Sequence, residues 1–252
     1  MREKAISFFN EQAQDYDSKY KKSNDVRSFI FSERKRIVLE MLGRGDLMRI
    51  LDIGCGPGVY ANELAPRCRE LYGVDPARKM IELARFKRPP NAEFSVGGIE
   101  NLGFADNFFD AAICVGVLEY LEDVERGIEE VARVTKRGGI AIFTAPNAES
   151  LLNKLDYWMR VILKLLGRKI VKMDLSMSFM DYDFQPRLLS KRMVESALAR
   201  HHFRVEVSRF HIFRLSFLNR ITPRLSLFLA KRLNFSSNRF FAVNYIVKAR
   251  KI

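Results

Sequence analysis

With 252 residues, 48% of them hydrophobic, the chain has ample material for the core of one large domain or of one domain with an elaboration, so disorder is not the default. Cys55, Cys68 and Cys114 have neither disulfide-framework nor zinc-ligand spacing and fit a reducing, cytoplasmic setting. No signal-type apolar core follows Met1 and no run of about 18 apolar residues occurs, so the chain is expected to be soluble or peripheral at the inner face of a membrane, not spanning.

The net charge of +13 is unevenly placed. Residues 1–150 hold 22 Lys+Arg and 24 Asp+Glu, which is −2; residues 151–252 hold 21 and 6, which is +15. A basic segment behind a near-neutral one points to an anionic partner: a membrane surface, a nucleic acid or an acidic substrate. The plainer account is that these charges keep an apolar segment in solution.

Residues 1–20 mix charge with Phe8, Phe9, Tyr16 and Tyr20, suited to anchoring a terminal helix on a core. Asn24 is a candidate N-cap with Asp25 in the first turn, and Val26, Phe29, Ile30, Ile37, Val38 and Met41 recur at helical spacing until Gly43. A short buried strand follows (about Met48–Ile53), then a turn on Gly54, Gly56 and Gly58, then a helix over Val59–Ala65. Strand, glycine turn and helix bring backbone close to a nucleotide-like ligand, although glycine turns alone are common. About 20 residues on, Leu71–Asp75 ends in a carboxylate placed to accept from both ribose hydroxyls. The order Asp52-x-Gly54-x-Gly56-x-Gly58 departs from the dinucleotide pattern. A carboxylate just before the turn would repel a pyrophosphate and suits a cationic ligand.

On these residues the chain resembles the class I S-adenosylmethionine-dependent methyltransferases, whose first motif reads like Leu51–Gly58; the resemblance covers roughly residues 45–145. It implies S-adenosylmethionine as cofactor. It also implies an α/β fold: a doubly wound, seven-stranded, mostly parallel sheet of Rossmann-like type, with a basic helical insertion on the acceptor side and a last strand inserted antiparallel. By the same resemblance a segment like Tyr16-Asp17 folds as a lid. Gly54, Cys55, Gly56 and Gly58 pack against the methionine portion, and Asp52 accepts from the ammonium side through the turn. Asp75, with Pro76 after it, holds the ribose hydroxyls, while Ile99 and Glu100 lie near adenine. The family commonly has an acidic residue where this chain has Gly98; either Glu100 substitutes, or backbone and Ile99 hold the ring.

Pro76 opens a helix through Met80, Ile81, Leu83 and Ala84, Arg85–Pro90 is a basic turn, and Ala92–Val96 is the third strand. Asn107–Val115 is the fourth strand and ends in Gly116-Val117-Leu118-Glu119-Tyr120-Leu121. Ligands of open α/β sheets bind at the carboxyl ends of strands, so Val115–Tyr120 is the expected wall between cofactor and acceptor. Glu119 and Tyr120 are the candidate acid/base groups there. Equally, Glu119 orients backbone or cofactor, and an already acidic acceptor needs no base. The loop lacks the Asn/Asp-Pro-Pro-aromatic run and the Pro-Cys pair that mark nucleobase methylation in the family, and nothing in the sequence calls for a metal.

Asp123–Lys136 reads as an amphipathic helix, Gly138-Gly139 as a turn and Ile140–Thr144 as the fifth strand. On a helical wheel over Leu151–Arg168, Arg160, Lys164 and Arg168 share one edge. Leu152, Leu155, Met159, Ile162, Leu163 and Leu166 cover the broad opposite face, with Trp158 at its margin. Such a helix, about 27 Å long, suits a lipid interface or the cover of an acceptor pocket. Its place resembles that of the lipid-facing insertion in ubiquinone-biosynthesis O-methyltransferases.

Lys172–Tyr182 carries Met173, Met177 and Met180, suited to an irregular apolar ligand or to core filling. A helix over Arg187–Ala199, capped by His201 and His202, leads to a sixth strand, Phe203–Phe210. Phe210–Leu229 is apolar with Pro223 breaking it, and Ala242–Val247 is the final strand. The expected layout is an N-terminal helical lid (1–44), an S-adenosylmethionine-binding core (45–147), a basic amphipathic insertion (148–185) and a C-terminal completion of the sheet (186–252). The expected activity is methyl transfer to an oxygen of a small-molecule acceptor, apolar or amphipathic and of quinone or lipid type, at an anionic membrane surface. The alternatives are an RNA methyltransferase, a sugar or secondary-metabolite methyltransferase, and a cofactor-binding subunit without catalysis.

Overall fold

The structure, a computed structural model, describes residues 2–14, 16, 26–43, 45, 47–165, 186–211, 222–233 and 238–252. Helices α1 (Arg2–Glu11) and α2 (Val26–Leu42) precede β1 (Leu47–Ile53), a helical turn α3 (Ala61–Leu64), β2 (Cys68–Asp75) and α4 (Arg78–Phe86). Next come β3 (Ala92–Val96), β4 (Phe109–Cys114), α5 (Val124–Val134), β5 (Thr135–Pro146) and α6 (Leu151–Leu165). The chain closes with α7 (Lys191–Arg200), β6 (Phe203–His211), α8 (Pro223–Leu233) and β7 (Asn244–Lys251). The strands form one seven-stranded sheet in the order β3-β2-β1-β4-β5-β7-β6. From β1 to β5 all pairings are parallel, and β7 runs antiparallel to both β5 and β6. This is the doubly wound, mostly parallel sheet expected. Strand order reverses between β1 and β4, which opens a crevice at their carboxyl ends.

Central strands of such a sheet are buried on both faces, so their residues part alternately between two layers. Leu51, Ile53, Cys114, Phe143, Tyr245 and Val247 pack with Ile128 and Val131 of α5 and Val194 and Leu198 of α7. Ile50, Leu71, Ile113, Ile142 and Ile246 pack with Ile37, Val38 and Met41 of α2 and Ile81 of α4.

Several boundaries differ from the sequence reading. The helix expected over Val59–Ala65 is a single α turn followed by a 3-10 turn over Ala65–Arg67, where Pro66 has no N–H to continue the ladder. Strand β5 starts at Thr135, not Ile140: the register slips opposite Phe109 and Ala111, and Gly138 at φ +77° takes up the bulge. Helix α7 starts at Lys191 rather than Arg187 because the Ser190 hydroxyl accepts from Met193 N–H. Pro223 opens α8 instead of breaking an apolar run; at a first helical position its missing N–H is no loss. Strand β7 runs to Lys251 because its basic end still pairs with β6. Asn24, Asp25, Asp17 and the methionine-rich Lys172–Tyr182 stretch lie outside the described residues.

Asn147, fully buried, fastens the end of β5 to the segment before β7. Its amide donates to the carbonyls of Arg239 (2.6 Å) and Ala242 (2.9 Å), and its Oδ1 accepts from Glu149 N–H at 3.0 Å. Asn147→Ala leaves these groups without that partner and is expected to lower stability by about 3 kcal/mol, read by urea denaturation; an unchanged midpoint would refute the fastening role.

Candidate cofactor and acceptor site

Leaving β1, the backbone N–H groups of Gly54 and Cys55 donate to Val74 O of β2 at 2.8 and 3.1 Å. Gly56 N–H then donates to Asp75 Oδ2 (2.9 Å), and Ala77 N–H to Asp75 Oδ1 (2.8 Å). One carboxylate thus holds both the glycine turn and the entry to α4. Gly54 has φ +69°, and a Cβ on it would stand 2.3 Å from Val117 Cγ2, so only glycine fits.

Above this floor lies a cavity of about 280 Å³. Gly54, Cys55, Gly56, Asp75, Pro76, Ile99 and Glu100 line it toward β1–β3, Val115 lines it at the end of β4, and Glu119 and Tyr120 line it beyond β4. Two of the residues singled out from sequence are not in its wall. Gly58 packs against Ala61 and Ala84, with its Cβ position 3.6 Å from each side chain. Asp52 is 2% exposed, with no hydrogen-bond partner for Oδ2.

Burial governs the titration of these carboxyls. It pushes Asp52 up to about 8, with the Asp75 charge adding to the rise and Lys35 opposing it. Asp75 rises to about 6 through burial, against the two backbone N–H bonds that favour its ionised form. Burial lifts Glu119 to about 7, opposed by its backbone hydrogen bond and by the charge of Arg34; its Oε2 has no hydrogen-bond partner. Burial also raises the Cys55 and Cys114 thiols well above their ordinary range, which makes them inert as nucleophiles.

Helix α1 covers the cavity from the α4 side. Asn10 Oδ1 accepts from Lys79 N–H in the first turn of α4 (3.0 Å), and Arg2 pairs with Glu100 at 3.1 Å. A Cβ on Gly98 would lie 2.3 Å from Arg2 Nη2, so the guanidinium fills the place of a side chain there. Phe9 meets the rings of Tyr120 and Tyr16 edge-on, with centroids 5.5 and 6.0 Å apart.

The sequence reading missed Arg2, Arg34, Asn153, Tyr157 and Asn244, all in the wall. Arg34 stands in the run Ser32-Glu33-Arg34-Lys35-Arg36, which by itself reads as a solvated face. In α6, Leu152 packs toward Val26, Ile30 and Val243, whereas Leu151, Leu155 and Trp158 are exposed. The side chains of Arg160 and Lys164, and all of Arg168, lie outside the described residues.

Because Asp52, Asp75 and Glu119 titrate higher folded than unfolded, the folded chain binds more protons. Their contribution is least unfavourable at acid pH and grows more unfavourable as pH rises through the raised values. The Tm of the ligand-free protein should therefore fall between about pH 5 and pH 8, and Asp52→Asn should flatten that fall. Thermal melts with the same slope in both proteins would contradict this.

A family model described as a methyltransferase domain matches residues 51–143. The chain is 31% identical over 159 residues to demethylmenaquinone methyltransferase of Renibacterium salmoninarum, an alignment covering 61% of this chain and 67% of that protein. It is 32% identical over 114 residues to ubiquinone biosynthesis O-methyltransferase of Alkalilimnicola ehrlichii, covering 44% and 46%. Of two further curated relatives the chain spans 23% and 38% of the length. In structure it is similar to magnesium protoporphyrin IX methyltransferase of Synechocystis, solved with bound SAH: TM-score 0.67, 16% identity, 98% of each chain. That likeness is one of fold.

Proposed function

The chain belongs to the class I S-adenosylmethionine-dependent methyltransferases, and from that premise we propose that it methylates an oxygen of a small apolar or amphipathic acceptor. The observation that carries this reading is a single cavity with two unlike ends: a glycine turn clamped by a buried carboxylate, and a wall with the buried carboxyl of Glu119.

The residues fit the cofactor. Each Asp75 oxygen keeps a lone pair beyond its backbone bond, free for a ribose hydroxyl. Gly54, Cys55 and Gly56 offer bare backbone to the methionine portion, and Pro76, Met80 and Ile99 an apolar slot for adenine, with Glu100 at its edge. A cationic ligand, unlike a pyrophosphate, would favour the ionised form of the buried Asp52, which burial otherwise holds up to about 8. Bound there, S-adenosylmethionine supplies a methyl group on a cationic sulfonium. Val115 stands between the two ends, Phe9 and Tyr16 help exclude water, and Glu119 accepts the proton of the acceptor's hydroxyl. Tyr120, its ring against Phe9, shapes the same wall and is the second candidate for proton transfer. Asp75→Asn is expected to weaken S-adenosylhomocysteine binding at least about tenfold with the fold retained, and unchanged affinity by calorimetry would sink the assignment.

We place the mouth of the acceptor end at an anionic membrane surface. Among the described residues no helix is long and apolar enough to cross a membrane. Leu152 of α6 and Leu227 of α8 pack on one small cluster beside the cavity. The same two helices expose Leu155, Trp158, Leu225 and Phe228 next to exposed Lys154, Arg224 and Arg232. Apolar and aromatic side chains bordered by cations suit a lipid headgroup boundary. Trp158 is the chain's single tryptophan, so its emission should shift to the blue with anionic vesicles and stay unchanged with zwitterionic ones. An unmoved spectrum, or a gel shift with total RNA at matched salt, would turn the basic segment toward another partner.

A further inference from the structure

Where β4 ends, Gly116 takes φ +70° and its N–H donates to Thr144 Oγ1 at 2.9 Å. A Cβ on Gly116 would stand 3.5 Å from Arg34 Nη1 and 3.8 Å from Glu119 Oε1. The bare face of this glycine, the guanidinium from α2 and the carboxyl after β4 therefore border one spot of the cavity wall. Glu119 is 6% exposed there, and its Oε2 has no hydrogen-bond partner.

Burial and the Arg34 charge govern the groups around this spot. His211, at the end of β6, is buried with both ring nitrogens unpartnered, and burial, then the Arg34 charge, pushes it down to about 3, so it stays neutral. Cys114 and Tyr245, which both feel Glu119, are held protonated by burial. Among the described residues, Arg34 is the cation that bears on Glu119.

We propose that Gly116, Arg34 and Glu119 form an oxyanion subsite, which takes an acceptor through an acidic hydroxyl of phenol or enol type. The hydroxyl proton passes to the Glu119 carboxylate, and the oxygen, keeping the electron pair of its broken O–H bond, rests against the Arg34 guanidinium. This rests on the methyltransferase reading and adds the acceptor's chemical class to it. A guanidinium offers an oxyanion charge-assisted hydrogen bonds, whereas an aliphatic alcohol is too weak an acid to ionise beside one carboxylate. Gly116 supplies the approach: a Cβ there would touch both charged groups, and its φ of +70° disfavours a side chain.

The test uses 4-nitrophenol, whose phenolate absorbs visible light, titrated into the full chain with and without S-adenosylhomocysteine. The wild type should bind the phenolate and lower its apparent pKa. Arg34→Gln should weaken the probe about tenfold or more and abolish that pKa shift, with Arg34→Lys recovering part of both. Affinity for S-adenosylhomocysteine, by calorimetry, should be the same in all three proteins. No binding by the wild type, or equal phenolate binding by Arg34→Gln, overturns the subsite. Should the wild type fail to bind S-adenosylhomocysteine, the methyltransferase reading falls instead, and the titration without it still decides the subsite.

Discussion

Asp75 receives Gly56 N–H on one oxygen and Ala77 N–H on the other, and most of the cavity's geometry descends from that pair of bonds. They fix a glycine turn in which Cys55 packs in the core, and they fix the first turn of α4. Helix α1 in turn docks on α4 through Asn10 and on Glu100 after β3 through Arg2, so the cover's position follows in part from the same carboxylate. The cost is burial of a charge: the Asp75 carboxyl is pushed up to about 6 despite its two donors. Asp52 is also buried nearby and pushed up to about 8, so a cationic ligand would favour the ionised form of both carboxyls.

The cover is held more lightly than the floor. The side chains of the Arg2–Glu100 pair are 43% and 20% exposed, and an ion pair so placed contributes less than about 1 kcal/mol. Phe9 adds edge-on aromatic contacts to Tyr16 and Tyr120, which tolerate sliding better than a buried hydrogen-bond network does. A floor fixed by buried backbone bonds and a roof fixed by exposed contacts suit a pocket that must admit and release a large ligand.

The opposite end is assembled from distant parts of the chain. Arg34 comes from α2, Glu119 from the loop after β4, Asn153 and Tyr157 from α6, and Asn244 from the first residue of β7. Asn153 donates to Asn147 O and Val243 O at 2.9 and 2.8 Å, and so ties α6 to the same junction of β5 and β7 that Asn147 fastens. Insertion of β7 between β5 and β6 is therefore part of how this end of the cavity is made, because it brings Val243 and Asn244 to the wall.

The strands β1 to β4, the glycine turn, the spacing to Asp75 and the candidate carboxyl Glu119 were legible from residue order. Their signals are local: apolar runs bounded by turn residues, positive-φ glycines, and a carboxylate at the end of the next strand. Boundaries failed where a neighbour intervened, as when β4 drew Thr135–Gly139 into β5 and Pro223 proved to be a helix start. The wall itself was only half legible. Asp52 and Gly58 share the motif's spacing with Gly54 and Gly56, yet one is buried outside the wall and the other packs against α3 and α4. Arg34 looks like its charged neighbours and differs only in the phase of α2 against the sheet. Periodicity and turn chemistry act over a few residues and so are written in sequence. Which member of a charged run enters a cavity depends on how a helix rolls onto a sheet made of residues far away, and only the tertiary packing decides that.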